Sequence, residues 1–180
     1  MGRDKLDLDV GGAPLLHRVY DALSSHCDEV ILVGGAARLE GARRVPDERR
    51  GGLGPLAGIE AGLAAAANGQ VFVAAGDLPF LTPDLVGFLL QRLVEREAWA
   101  VVPRYAGETH PLCAAYDRGL LPHVRLALDG GVRSVREFLG GVERVDYVGE
   151  ELPRFGNPDL FLMNVNSPED LVRARRGADR

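Results

Sequence analysis

Short apolar runs alternate with segments of helical character along this sequence, and this alternation constrains the fold more than any other feature. Residues 71–75 and 98–102 form continuous apolar runs, which are typical of strands buried on both faces. Between them, Thr82-Pro83-Asp84 supplies a cap, a first-turn proline and an acid, and predicts a helix that extends to about Glu97. Strands joined by helices predict a three-layer α/β fold, with helices on both faces of a parallel sheet.

The remaining predicted elements continue the same alternation. Helices are predicted at 14–26, 55–68, 120–128, 133–139 and from Pro168 onward, and strands at 29–33, near Val45, and at 112–116, 142–148 and 161–165. The sequence contains no internal repeat, low-complexity stretch or Pro/Ser-rich linker. We therefore expect residues 1–180 to form a single domain.

Composition and charge exclude several classes of protein. The 180 residues carry a net charge of -5, and this acidic balance argues against broad nucleic-acid binding. No apolar run approaches the roughly 20 residues that span a membrane, and the first residues lack the apolar region of a secretory signal. Cys27 and Cys113 lie in apolar stretches and indicate neither a disulfide framework nor a zinc site. We expect a cytoplasmic protein with no nucleic-acid or membrane partner.

Candidate functional residues follow the predicted strands, where ligands bind in open α/β sheets. Asp77 comes directly after the run 71–75, and its carboxylate suits a hard cation such as Mg²⁺; the alternative is a turn aspartate that caps the Leu78-Pro79 bend. Asn164 and Asn166 are two residues apart and point the same way in an extended chain, so they can bind a polar ligand, or they can simply close a strand.

Two further segments have the character of phosphate-binding elements. The segment 54–58 opens a helix, and a helix N-terminus offers N–H groups and a positive dipole end to an anion; an ordinary helix start is the alternative. Lys5 lies near Gly2 and can act as a point charge for phosphate, or it is a flexible terminal lysine. Arg43, Arg44, Arg49 and Arg50 either attract phosphates or form a solvated loop face.

Taken together, these segments resemble the molybdenum cofactor guanylyltransferase family, the MobA-like branch of the small nucleotidyltransferases. The resemblance covers nearly the whole chain, in the order and spacing of the family. The matching segments are GRDK at 2–5, GPLAGI at 54–59, AAGDLPFL at 74–81, HPLCAAY at 110–116 and NVNSPEDL at 164–171.

The resemblance implies a Rossmann-like fold with a mostly parallel twisted sheet, and transfer of GMP from GTP to the terminal phosphate of molybdopterin cofactor with Mg²⁺. Lys5 matches a lysine that contacts the nucleotide phosphates, and Asp77 matches the magnesium-binding aspartate. Asp47 matches an acid that holds the guanine, and Gly54 falls in a nucleotide-binding segment. The asparagines at 164 and 166 match residues on the pterin side.

The sequence also departs from the family pattern. In the family, a central first strand and a glycine-rich loop precede the GRDK segment, so we expect the natural chain to begin upstream of Met1, and we expect an upstream extension to raise stability and GTP affinity. Where the family often has Asn-Arg after the second strand, this chain has Gly34-Gly35-Ala36-Ala37.

The departures leave other functions open. One alternative is a transferase of the same fold with another nucleotide, such as a cytidylyltransferase. The other is a non-catalytic cofactor-binding protein that lacks the triphosphate half of the site. Proteins of molybdenum cofactor biosynthesis and molybdoenzyme chaperones are the protein partners that the resemblance suggests.

Overall fold

A five-stranded sheet and a separate two-stranded parallel sheet organise the chain in this computed structural model, which describes residues 8–35, 37–46, 49 and 54–178. The strands are β1 (Asp9–Val10), β2 (Ala13–Pro14), β3 (Val30–Val33), β4 (Ala42–Val45), β5 (Gln70–Ala74), β6 (Ala100–Tyr105), β7 (Glu108–Thr109), β8 (Cys113–Asp117) and β9 (Val145–Val148). The α-helices are α1 (Leu15–Ser24), α2 (Pro55–Ala65), α3 (Pro83–Glu95), α4 (Leu121–Asp129), α5 (Val135–Gly140), α6 (Pro158–Phe161) and α7 (Pro168–Ala178). Among the described helices, none is long and apolar enough to cross a membrane.

The larger sheet has strands in both directions, whereas the sequence predicted mostly parallel pairing. Strand β8 lies between β5 and β6 and is antiparallel to both, while β9 runs parallel to β6. The reason is the short connection after β6, where Ala106 and Gly107 have φ of 49° and 82° and turn the chain back into β7. The chain then has no room for a helical crossover and returns as an antiparallel strand.

Helices cover both faces of this sheet, as predicted. Successive residues of β6 point to opposite faces, so Val101 packs with α1 and α3 while Ala100 and Val102 pack with α2, α4 and α5. All three residues are fully buried. The layered α/β architecture is therefore confirmed, and its two cores meet at the central strands.

The predicted strand at 161–165 is wrong. Asn157 caps a short helix instead, with its side-chain oxygen accepting a hydrogen bond from the Asp159 N–H at 3.0 Å. Phe161 ends this helix, and the chain then extends without entering a strand ladder. Phe161 and Val165 are both buried, but they pack in different clusters, so the apolar run reflects two separate burial sites rather than one strand.

The buried phenol of Tyr116 fixes the turn that precedes β8. Tyr116 is 1% exposed, and its hydroxyl donates a hydrogen bond to the Pro111 carbonyl at 2.7 Å. Burial raises the pKa of this phenol, so it remains the protonated donor at neutral pH.

Replacing Tyr116 with Phe should lower the free energy of unfolding by about 1–3 kcal/mol, because the Pro111 carbonyl then loses its partner. Urea denaturation followed by circular dichroism measures this change. Tyr147→Phe, at a side chain that is 37% exposed, is the control and should change stability by less than about 0.5 kcal/mol. Equal losses in the two variants would contradict this role for Tyr116.

Candidate active site

Asp77 lies just beyond the end of β5, where the sequence placed it. Asp77 is only 8% exposed, so it is more enclosed than a residue whose side chain projects into an open crevice. The Asp77 carbonyl accepts a hydrogen bond from the Val165 N–H at 3.0 Å. This bond brings Asp77 beside the segment that carries Asn164 and Asn166, two parts of the site that are far apart in sequence.

A capping box holds the asparagine segment in place at the start of α7. The Asp170 N–H donates to Ser167 Oγ at 3.1 Å, and the Ser167 N–H donates to Asp170 Oδ2 at 3.0 Å. The Asn166 N–H also donates to Asp170 Oδ2, at 3.1 Å. Hydrogen bonds from the Ser167 side chain and the Asn166 N–H lower the pKa of Asp170, so this carboxylate stays ionised and keeps the segment anchored.

A cavity of about 700 Å³ lies next to this segment. Asn164 lines it, together with Leu78, which follows Asp77, and Gly54 at the start of α2. The other walls come from residues 108–113 and 133–136. The cavity thus joins the predicted phosphate-binding helix start to the predicted pterin-side asparagine.

The start of α2 requires glycine at position 54. Gly54 has a φ of 81°, a conformation that other residues rarely adopt, and Pro55 follows at the first helical position. A Cβ at Gly54 would lie 3.4 Å from the Arg133 carbonyl oxygen, so the loop before α5 approaches the helix closely. The N-terminus of an 11-residue helix therefore opens directly into the cavity.

Sequence reasoning missed two arginines of the cavity. Arg133 Nη1 donates to the Leu128 and Val132 carbonyls at 2.7 and 3.0 Å. Arg136 Nη2 donates to Glu108 Oε2 at 3.2 Å and to the Thr109 carbonyl at 3.1 Å. These bonds fix the two side chains. Because each guanidinium carries five N–H donors, further donors remain for an anion. The sequence did contain a signal for this pair, because two arginines lie three residues apart at a predicted helix start.

The other predicted cationic and acidic residues have different outcomes. Lys5, Asp47 and Arg50 lie outside the described residues. Arg43 binds Glu29 at 2.8 Å, and Arg49 binds Glu60 at 2.5 Å and Asp129 at 2.8 Å. These ion pairs favour the loop-face interpretation of the arginine run over phosphate binding.

The Asp77 carboxylate fits a divalent cation that is shared with a nucleotide. Within the described ranges, no group of three or more His, Cys, Asp or Glu side chains forms a metal cage. Mg²⁺ is usually held by one or two carboxylates together with substrate phosphates, and the enclosed Asp77 carboxylate can supply one such ligand.

The layered fold is that of an α/β nucleotidyltransferase. Residues 1–145 match the family described as MobA-like NTP transferase domain. The chain belongs to this family.

Similar proteins cover nearly the whole chain. A probable molybdenum cofactor guanylyltransferase from Pelotomaculum thermopropionicum is 38% identical, over 97% of this chain and 85% of the relative. The structure of molybdopterin-guanine dinucleotide biosynthesis protein A from Archaeoglobus fulgidus is 26% identical with a TM-score of 0.83, over 99% of this chain and 92% of that chain. A Mycobacterium tuberculosis protein, solved in complex with manganese, is 18% identical with a TM-score of 0.64, over 97% and 93% of the two chains, and shows likeness in fold alone.

His110, which lines the cavity, gives the site a pH-dependent contribution to stability. Burial lowers the pKa of its imidazole; Glu108 opposes the shift and Arg136 adds to it. The folded-state pKa therefore lies below the unfolded value of about 6.5, and the unfolded chain binds more protons as pH falls through that value.

Replacing His110 with Gln should therefore reduce the loss of unfolding free energy that accompanies acidification from pH 7.5 to 5.5. Urea denaturation at several pH values measures this slope in both proteins. Near pH 8 the imidazole is neutral in both the folded and the unfolded chain. The difference in unfolding free energy between wild type and variant should therefore no longer change with pH there. An unchanged slope below pH 7 in the variant would contradict the assignment.

Proposed function

We propose that this chain transfers GMP from GTP to the terminal phosphate of molybdopterin cofactor, forming the guanine dinucleotide cofactor and releasing pyrophosphate. Membership of the MobA-like family and the guanylyltransferase name of the Pelotomaculum relative support the reaction. The observation that carries the proposal is the 3.0 Å hydrogen bond from Val165 N–H to the Asp77 carbonyl. It brings the acid proposed for the nucleotide side beside the asparagines proposed for the cofactor side.

The reaction is an in-line displacement that requires no protein nucleophile. An oxygen of the cofactor phosphate forms a bond to the α-phosphorus of GTP, and the bond from that phosphorus to the bridging β-phosphate oxygen breaks. Pyrophosphate carries away the electron pair. The contribution of the protein is to position the two substrates and to stabilise the charge that develops on the phosphates.

On the nucleotide side, Asp77 holds a divalent cation, for which we propose Mg²⁺. When bound, the cation neutralises charge on the triphosphate. Gly54 and the N-terminus of α2 lie at the cavity and suit the phosphates. Lys5 is proposed as a further phosphate contact and Asp47 as a guanine contact, on the resemblance of their segments to the family.

On the cofactor side, Asn164 and Asn166 bind the pterin. Both residues are exposed, and Asn164 lines the same cavity as Gly54. Arg133 and Arg136 add positive charge to that cavity, which suits the terminal phosphate of the acceptor. In this proposal, the acceptor phosphate and the nucleotide phosphates bind on opposite sides of one cavity.

The alternatives differ in nucleotide and in activity. A cytidylyltransferase would use CTP in the same site, and a cofactor-binding protein would form no dinucleotide. Chromatographic detection of the dinucleotide product, from molybdopterin with GTP or with CTP, separates all three functions. Several broader expectations stay predictions. They are a single domain over 1–180, a cytoplasmic location and the absence of nucleic-acid and membrane partners. Docking with cofactor-biosynthesis proteins or molybdoenzyme chaperones is also a prediction.

Asp77→Asn should lower turnover by at least about 100-fold, because the charge that holds the cation against the triphosphate is lost. The substitution keeps the size of the side chain, so the thermal unfolding midpoint should stay within a few degrees of wild type. Initial rates across a magnesium titration, with melting curves of the same samples, measure both effects. Near-normal turnover at limiting magnesium would exclude Asp77 as the metal ligand.

Asn164→Ala should weaken molybdopterin binding about tenfold, the effect of one lost hydrogen bond to a charged or strongly polar ligand, and should leave GTP binding within about twofold. Asn166→Ala should show the same split. Asn68→Ala, just before the start of β5 and away from the cavity, is the control and should change neither affinity. If an asparagine variant loses GTP affinity, or unfolds, that residue serves the local turn instead.

A further inference from the structure

Arg49 joins two helices that border the candidate site. Its guanidinium forms a fork with Glu60 of α2, in which Nε donates to Oε2 at 2.5 Å and Nη2 donates to Oε1 at 3.2 Å. The third nitrogen, Nη1, donates at 2.8 Å to Oδ1 of Asp129, the last residue of α4. All three guanidinium nitrogens of Arg49 therefore bind carboxylates, and these carboxylates belong to two different helices.

The fork between Arg49 and Glu60 is largely shielded from water. The two side chains are 24% and 13% exposed, and hydrogen bonding from Arg49 holds the pKa of the Glu60 carboxyl below its usual range. Arg125 of α4 also donates to Glu60 Oε1, at 3.2 Å. A forked, partly buried arginine–carboxylate pair is stronger and more directional than a single contact between exposed charges, so it can hold the two helices in one relative position.

The end of α4 obtains its positive charge from outside the helix. The last turn of α4 contains no basic residue, although the carbonyls at a helix C-terminus favour a nearby cation. Arg49 supplies one such cation through its bond to Asp129. Arg133 supplies another, because its Nη1 donates at 2.7 Å to the carbonyl of Leu128, the residue before Asp129. The two arginines thus hold adjacent residues at the end of one helix.

This series of contacts leads back to the start of α2. A Cβ at Gly54 would lie 3.4 Å from the Arg133 carbonyl oxygen, and both residues line the cavity of about 700 Å³. The series therefore closes on itself, since it leaves α2 at Glu60 and returns to α2 at Gly54. Because a closed series of contacts fixes the distances between its members, Arg49 helps to set the separation of Gly54 and Arg133 at the cavity.

We propose that Arg49 is a positioning residue for the transfer reaction, which acts through Glu60 and Asp129 and sets the spacing between the start of α2 and Arg133. The inference rests on the proposed function, in which the start of α2 binds the nucleotide phosphates and Arg133 attracts the acceptor phosphate. In-line displacement needs these two groups at a defined separation, and a misplacement of about 1 Å can cost about 100-fold in rate. Wrong spacing therefore slows the chemical step more than it weakens the binding of either substrate.

Arg49→Lys tests this role, because an ammonium keeps the positive charge but lacks the planar fork of a guanidinium. We expect kcat for dinucleotide formation to fall at least about tenfold, while KM for GTP and KM for molybdopterin stay within about threefold of wild type. The thermal unfolding midpoint should stay within a few degrees. Initial rates with each substrate varied in turn, and melting curves of the same samples, measure these quantities.

Arg43→Lys is the matched control. Arg43 Nη2 also links a carboxylate to α2, since it donates to Glu29 Oε2 at 2.8 Å and to the Ala65 carbonyl at 2.7 Å. Ala65 is the last residue of α2 and lies at the opposite end of the helix from Gly54. The same substitution at Arg43 should therefore leave kcat and both KM values within about twofold of wild type.

Asp129→Asn tests the series of contacts from its other end. This substitution removes the charge that Arg49 binds on α4 and leaves the fork to Glu60 in place. It should lower kcat by less than Arg49→Lys does, and the double variant should lose no more than Arg49→Lys alone, because both residues act in one series. Additive losses would contradict this coupling. If Arg49→Lys unfolds, the kcat and KM values of Asp129→Asn decide the proposal.

Hydrogen exchange separates the positioning role from the reaction. The N–H groups of Gly130, Gly131 and Val132 donate to carbonyls of residues 126–128 in α4. In Arg49→Lys these amides should exchange at least about threefold faster, whereas amides of β8 should be unchanged. The measurement needs no substrate. If the wild-type protein forms no dinucleotide with GTP or CTP, the proposed function fails, while these exchange rates still decide whether Arg49 fixes the end of α4.

Three results would overturn the proposal. The first is an unchanged kcat in a folded Arg49→Lys protein. The second is a tenfold or larger rise in KM for GTP with kcat unchanged, which would show that Arg49 contacts the nucleotide itself. The third is equal exchange at residues 130–132 in wild type and Arg49→Lys, which would show that Arg49 does not hold the end of α4.

Discussion

The hydrogen bond between the Val165 N–H and the Asp77 carbonyl is the contact on which the candidate site depends. It fixes an extended segment, which belongs to no strand ladder, against the residue that follows β5. The capping box at Ser167 and Asp170 then sets the direction in which the chain leaves that segment. Without the Val165 bond, Asp77 and Asn164 would belong to independent loops.

The layered core makes this arrangement rigid. Residues of β6 supply both hydrophobic clusters in alternation, so the central strands cannot shift in register without exposing one of the cores. The end of β5 is therefore held at a defined position, and an enclosed carboxylate at that position interacts strongly with a cation because little water screens it. The loop before α5 and the first turn of α5 supply the cationic part of the cavity, through Arg133 and Arg136.

Local signals in the sequence were enough to predict most helices, the central strands and the positions of Asp77 and Asn164. A buried strand followed by an acid, and a Ser-Pro-Glu-Asp helix start, are patterns that depend only on neighbouring residues. The false strand at 161–165 and the direction of β8 depend on contacts between distant segments, which a local pattern does not contain. Arg133 and Arg136 were missed for the same reason, since only the folded chain brings them opposite Gly54.

The central claim is that Asp77 and the start of α2 form one cation-dependent nucleotide site beside the Asn164 segment. Paramagnetic broadening by Mn²⁺, recorded on backbone amides in the presence and absence of GTP, measures this directly. The account predicts GTP-dependent broadening centred on Gly76–Leu78 that includes Val165 and the first turn of α2. Broadening that leaves Gly76–Leu78 and Val165 sharp, or that is the same with and without GTP, would contradict it.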